Sequence, residues 1–297
     1  MGEIAGLIGA MFWGFTSLLV RYEARNMDVI VLNALRTTVG AAYLVLALLG
    51  LSWLGSYTLS FGSTPTLTIG LLLVSVVFSL GAGDSLYFLS MQRIGVARAM
   101  PLSMSHPLIT SALAVAFLGE VITAVMLGGM ALILGGLYLV TMPGRGRVIV
   151  PHADPAATRV GIGMALGAAV CWAFSSVAVR PALDQVDALT ASTFRVVVGA
   201  LTVWLVAIWT GRRIKRSQLT RTRMGMALLG GTLTAASMTL FMLCIQLAGV
   251  ARAATLGATS PIYTVPLSAL LLGEQITPRM VVGTLLIVGG VILLVGG

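Results

Sequence analysis

Few side chains in this chain of 297 residues could do chemistry, and depth within an apolar segment is what singles them out. Asp84 lies past the middle of a long apolar run. A carboxylate at that depth is costly unless it is paired, protonated or facing water. Asp84 is therefore a candidate for proton or cation coupling, or for contact with a substrate amine. A structural ion pair or a hydrogen bond to a neighbouring helix is the other reading. His106 sits near the middle of another segment, beside Pro107. Imidazole titrates near neutral pH, so His106 could relay protons or act as a hydrogen-bonding pore liner. Arg36 and Arg195 each lie about 10–12 Å into their segments at ~1.5 Å per residue. Arginines so deep snorkel, bind helix-end carbonyls or line a cavity. A structural or gating role at opposite mouths is expected of them, with contact to an anionic substrate group as the alternative.

Pro107 removes the helix hydrogen bond to Ser103 and bends the helix, freeing carbonyls near its middle. Pro261 repeats the arrangement, so both prolines are candidate hinges or gates. Trp13 and Trp172 are also mid-segment, where they could wall a pocket by stacking or cation–π contact, or pack. Tyr87, Ser103, Thr259 and Tyr263 are polar groups expected to face the same cavity. The second histidine, His152, falls in a polar connection. A Ser/His dyad, paired aspartates or a His-Glu-x-x-His set is missing, so neither catalysis, a metal nor a cofactor is expected. Cys171 and Cys244 both fall in apolar segments and read as free buried thiols.

The elements that position these groups follow from composition. The chain is 58% hydrophobic and only 9% charged, with a mean hydropathy of +1.03. Soluble domains carry roughly a quarter charged residues, so the solvent here is lipid. About 20 apolar residues span a bilayer. Ten segments qualify, at 4–20, 29–50, 67–90, 97–118, 124–142, 161–180, 188–210, 224–247, 250–272 and 279–296. The alternation of β-barrel spans is absent. The fold class is an all-α integral membrane protein. The net charge of +9 sits mostly in short connections. It therefore speaks to topology rather than to nucleic acid.

The chain also contains itself twice. Phe12-Trp13-Gly14-Phe15-Thr16-Ser17 returns as Cys171-Trp172-Ala173-Phe174-Ser175-Ser176. The octet from Gln92 to Ala99 returns from Gln246 to Ala253, and Leu118-Gly119-Glu120 returns as Leu272-Gly273-Glu274. The first repeat is 1–142, a polar linker covers 143–160, and the second repeat is 161–297. Five helices is an odd number, so the second copy enters from the opposite side and the repeats are inverted. Connections 1–2, 3–4, 5–6, 7–8 and 9–10 carry nearly all the Lys and Arg. The positive-inside rule makes that side cytoplasmic and both termini extracytoplasmic. Glu120 and Glu274 lie just before the fifth and tenth helices and are expected to cap them. The Gly129/Gly135/Gly136 and Gly283/Gly289/Gly290 faces should pack closely.

Several features together resemble the EamA-type family of the drug/metabolite transporter superfamily. They are Pro107 with Leu118-Gly119-Glu120, the same pattern at Pro261 with Leu272-Gly273-Glu274, the early Trp13 and Trp172, and the Leu35-Arg36 and Phe194-Arg195 pairs. The resemblance implies ten helices in inverted five-helix repeats, a central cavity and alternating access without ATP. It points to export of amino acids or related metabolites through a multi-pass protein of the cell membrane. The expected partners are a small-molecule substrate, the lipid bilayer and protons as a coupling ion, with the chain acting as a monomer. An uncoupled facilitator or exchanger, a lipid-carrier translocator, and a receptor or scaffold are the alternatives.

Overall fold

The computed structural model describes residues 1–23, 27–56, 64–94, 99, 102–141, 155–213, 220–260, 262–263, 267 and 278–296. Among them the chain forms ten helical rods. These are α1 (Gly2–Glu23), α2 (Val29–Trp53), α3 (Thr66–Ile94), α4 (His106–Leu118), α5 (Ala124–Thr141), α6 (Pro155–Val179), α7 (Ala188–Trp209), α8 (Arg221–Ala248), α9 (Val250–Gly257) and α10 (Pro278–Gly296). Six of them (α1, α2, α3, α6, α7 and α8) are long and apolar enough to cross a membrane, and α4, α5 and α10 hold shorter apolar stretches. Helix α6 begins at Pro155, inside the stretch read as a polar linker. Proline suits a first helical position because its missing N–H has no partner there anyway.

Capping acids set the starts of α2 and α7 in the same way. Asp28 Oδ1 accepts from the N–H groups of Ile30 (2.9 Å) and Val31 (3.3 Å). Asp187 Oδ1 accepts from Leu189 (2.9 Å) and Thr190 (3.0 Å). Each satisfies two donors that the first turn leaves open.

The repeats are not separate bodies. Helix α1 packs along α8 and α9, and its repeat-mate α6 packs along α3 and α4. Helix α2 packs on α7 and α8. At the α5–α10 contact a Cβ on Gly136 would lie 2.4 Å from the carbonyl oxygen of Gly283, and one on Gly290 would lie 2.6 Å from that of Gly129. The contact is reciprocal, and Ile133 and Ile287 fill it from either side. The glycine faces that the sequence offers thus pack on each other within one chain.

Glu120 corrects a sequence expectation. It does not cap α5. Its Oε1 accepts from the N–H of Val250 at 2.6 Å and its Oε2 from Ala251 at 3.1 Å, so it caps α9 of the other repeat. The preceding Gly119 takes a left-handed conformation (φ 67°) that ends α4 and turns the chain toward α9. The repeat-mate Glu274 lies outside the described residues. Glu120→Ala should lower stability by about 1 kcal/mol, and thermal unfolding in detergent micelles would read it. An unchanged midpoint would mean that water replaces the carboxylate.

The two ends of the bundle are tied by different ion pairs. At one end Asp28 pairs with Arg212, and Glu23 approaches Arg223 at 3.6 Å, joining the 1–2 and 7–8 connections. At the other end Glu3 lies 3.3 Å from Arg252, beside the Glu120 cap. Between them the outer surface is apolar, with Leu46, Leu201, Leu205 and Leu285 exposed. Trp53 and Trp209 stand almost fully exposed at the ends of α2 and α7, where interfacial anchors belong.

The fourth and ninth segments of the sequence, 97–118 and 250–272, hereafter rods four and nine, are both broken near their middles. Leu102 and Ser103 are helical, Met104 and Ser105 form a turn, and α4 starts at His106. Pro107 therefore sits in the first turn of a new helix rather than bending a continuous one. Helix α9 ends at Gly257, turns through Ala258–Ser260, and is helical again at Ile262–Tyr263. Pro261 itself lies outside the described residues.

Candidate functional site: a central cavity between the repeats

A cleft of about 100 Å³ opens among seven rods. Gly9, Ala10 and Trp13 of α1 line it, with Ser79 and Asp84 of α3, Met104 and His106 at the break before α4, and Trp172, Ser175 and Ser176 of α6. Arg195 of α7, Ser237, Met238 and Phe241 of α8, and Gly257 of α9 complete the wall. Both repeats contribute, and the two helix breaks meet at the cavity.

One wall is built by a break in regular geometry. Residues Val77–Gly83 within α3 form a π-helix that ends at Asp84. Rod α3 has 29 residues and α8 has 28. Their first residues, Thr66 and Arg221, are 155 apart, and their last, Ile94 and Ala248, are 154 apart. The π-helical turn absorbs the one extra residue, and such turns concentrate at functional sites.

Asp84 is fully engaged. Its Oδ2 accepts from Arg36 Nη2 at 2.7 Å and its Oδ1 from Trp172 Nε1 at 3.1 Å. The guanidinium of Arg36 also donates to Asn33 Oδ1 and Thr234 Oγ1, both at 2.9 Å. Its Cζ lies 5.3 Å from the ring centroid of Trp13 and 5.4 Å from that of Phe88. The cation–π contact of Trp13 is thus with the protein's own arginine. Trp172 stands edge-on to Trp13 at 6.5 Å and to His106 at 5.8 Å. A side chain at Gly83 would meet the Trp172 indole at 2.6 Å, so glycine there lets the ring reach Asp84.

Arg195 has a different environment. It donates to Ser79 Oγ at 2.9 Å, Ser175 Oγ at 3.0 Å and Met242 Sδ at 2.8 Å. Its Nε has no hydrogen-bond partner among the described residues. Each arginine reaches a hydroxyl of the other repeat, Arg36 to Thr234 and Arg195 to Ser79. The two arginines were expected at opposite mouths. They instead converge on α3 at Asp84 and Ser79, five residues or about 7 Å apart along the axis.

Of the other residues proposed from sequence, Trp13, Asp84, His106 and Trp172 line the cavity. Tyr87 is buried behind it, 5.3 Å from the Trp172 ring. Ser103 is buried and donates to the Ala165 carbonyl at 3.2 Å, which ties rod four to α6. Thr259 is buried and donates to the Leu256 carbonyl at 2.6 Å, within the turn that ends α9. Pro107 is buried next to the cavity wall, and Tyr263 is half-buried on the far side of the break. Sequence reasoning passed over Ser79, Ser175, Ser176, Ser237, Met238 and Phe241. One signal was available, since Ser175 and Ser176 follow Trp172 at one-turn spacing. Ser79 gave none, because five residues place it about 140° from Asp84 on a regular helix and the π-helical turn intervenes. Among the described residues no group of three or more His, Cys, Asp or Glu side chains could hold a metal ion.

A polytopic helical membrane protein, made of two repeats that enclose a polar-lined central cavity, has the architecture of a membrane transporter. The chain matches the EamA-like transporter family over residues 1–142 and 159–296. It belongs to that family, and hence to the drug/metabolite transporter superfamily. It is similar to an uncharacterized transporter of Archaeoglobus fulgidus, 23% identical over an alignment 297 positions long that covers 98% of this chain and 96% of that one. It also shares its fold with a solved crystal structure at a TM-score of 0.79. That structure is 18% identical, and the match covers 98% of this chain and 94% of the other.

Proposed function

We propose that this membrane transporter moves small organic solutes, amino acids or related metabolites, out of the cell by alternating access through the central cavity. The observation that carries the reading is the cavity itself. Both repeats line it, both mid-rod breaks border it, and it holds a charged, aromatic and hydroxyl wall in an otherwise apolar protein. The lining residues of α1, α6 and α8 come from the parts of those helices nearer the N-terminal end of the bundle. With that end extracytoplasmic by the charge rule, the described conformation is the outward-facing one. The α5–α10 reciprocity supports inverted repeats around a pseudo-two-fold axis in the membrane plane.

The interleaving of the repeats argues for bending within rods four and nine rather than rocking of two rigid five-helix halves. The first segments of the broken rods would swing, with Pro107 and Pro261 marking the hinges. The Arg36–Asp84–Trp172 layer would act as the closed gate. His106 is the proton-coupling candidate that this arrangement favours. It lines the cavity, and its Nδ1 has no partner among the described residues, whereas both Asp84 oxygens are occupied. The chain acts in the cell membrane with lipid as its main partner, as a carrier and not an enzyme.

The test is efflux from proteoliposomes loaded with labelled amino acids and metabolites, with and without an imposed pH gradient. Selective release that responds to the gradient in wild type but not in His106→Gln is the expected result. Release indifferent to the gradient would remove the coupling role and leave a facilitator or exchanger. Retention of every solute would overturn the transport reading.

A further inference from the structure

Arg195 is a buried cation that forms no ion pair with an acid among the described residues, and Asp84, already paired with Arg36, acts on it only through space. It is 4% exposed and lines the cavity. Its acceptors are two serine hydroxyls and a thioether, all uncharged. Ser79 and Ser175 each pass their own proton to the Ser75 carbonyl, at 2.9 and 2.7 Å, which leaves their lone pairs to the guanidinium but adds no negative charge. The chain has nine acids. Six stand at helix ends, where they pair with other arginines or cap helices. Asp154 and Glu274 lie outside the described residues. The ninth, Asp84, gives one oxygen to Arg36 and the other to Trp172.

Among the described residues the site therefore holds one cation in excess beside a cavity, and its buried Nε keeps an N–H without a partner. Burying a guanidinium among neutral acceptors is costly, and an anion brought into the cavity would offset that cost. Arginine favours carboxylates in particular because its planar donors match their geometry. The wall also carries large apolar groups, with Trp13, Trp172, Phe241 and Met238 facing the same space. A substrate ammonium, in contrast, would have to take Asp84 from Arg36 and strand that guanidinium.

We infer that Arg195 receives the carboxylate of the substrate, so that the cavity takes organic acids with an apolar body and has no requirement for an amino group. This rests on the transport reading above for its biological sense, but binding can be tested apart from flux. The protein, purified in detergent micelles, is titrated by calorimetry with two matched sets of probes. One set is phenylalanine, hydrocinnamate, phenylalaninamide and phenethylamine; the other is leucine, isocaproate, leucinamide and isoamylamine. In at least one set the amino acid and the simple acid bind with comparable affinity, and the amide and amine bind about tenfold more weakly or worse. Arg195→Gln reduces the affinity for the acids about tenfold or more, and Arg195→Lys restores part of it. The wild-type comparison decides the matter even where the Gln variant fails to fold.

An amide or amine that binds as well as its acid overturns the inference. So does acid binding that survives Arg195→Gln unchanged, or the failure of every carboxylate to bind. Flux of the same probes in proteoliposomes separates the two readings. Carboxylates that bind without crossing would defeat transport and leave the Arg195 assignment standing. An amine that crosses while no carboxylate binds would do the reverse.

Discussion

Asp84→Ala should destabilise the protein by about 3–5 kcal/mol, the cost of leaving a buried guanidinium without its counter-ion. Arg36 is 1% exposed and cannot reach water without moving α2. The variant also releases Trp172, whose indole N–H uses the second Asp84 oxygen. Asp84→Asn keeps an acceptor for the indole but still strands the charge, so it should lie close to the alanine variant. The double variant Arg36→Met/Asp84→Leu removes both charges and should recover most of the loss, because buried ion pairs are replaceable by well-packed apolar side chains. Thermal unfolding of wild type, Arg36→Met, Asp84→Leu and the double variant, read as a double-mutant cycle, measures the coupling. A single Asp84→Ala variant as stable as wild type would mean that the pair is not closed in the membrane-embedded protein.

The second large effect is expected where α5 crosses α10. Gly136→Ala and Gly290→Ala each drive a methyl group into opposing backbone, at 2.4 and 2.6 Å from carbonyl oxygens. A backbone cannot turn aside as a side chain can, so each should cost about 1–3 kcal/mol, and the pair together more. Gly128, Gly135 and Gly289 supply controls on the same helices, since nothing lies within 4 Å of a Cβ added at any of them. Alanine there should be neutral or stabilising by up to about 1 kcal/mol, because it is the better helix former. Gly136→Ala and Gly290→Ala variants as stable as these controls would show that the crossing relaxes without cost.

These two cases mark how far the sequence could be read. The ten apolar runs and the duplication were legible because membrane solvation demands long uninterrupted spans, and copies keep their order. The arginines, tryptophans and Asp84 were legible because polar groups at such depth need a reason. Their pairing was not. Arg36 meets Asp84 across 48 residues and Thr234 across 198, and helical periodicity says nothing about which faces meet. The glycine stripe announced close packing but not its partner. Gly136 and Gly290 lie against the backbone of Gly283 and Gly129, whereas nothing lies within 4 Å of a Cβ added at Gly135 or Gly289. Glu120 misled for the same reason. Local capping rules assume that the nearest helix start is the next one in the chain, whereas interleaving brings α9 of the other repeat closer. The broken rods were half legible. A proline marks a discontinuity in either case, but whether it bends a helix or begins one depends on the preceding turn at Met104–Ser105.

The π-helical turn in α3 also bears on the history of the molecule. Two copies of one gene segment begin with equal rights, and any pocket built between them starts with two equivalent halves. A one-codon difference in length ordinarily rotates everything downstream by about 100°. Here the π turn takes up the surplus locally, so both ends of α3 keep the alignment of α8, and Ser79 still answers to Thr234 as it would in an undivided ancestor. Asp84 stands just past the turn, at the place where α8 carries Met238, so the difference in length and the difference in charge fall side by side at the pocket while the ends of both helices stay in register.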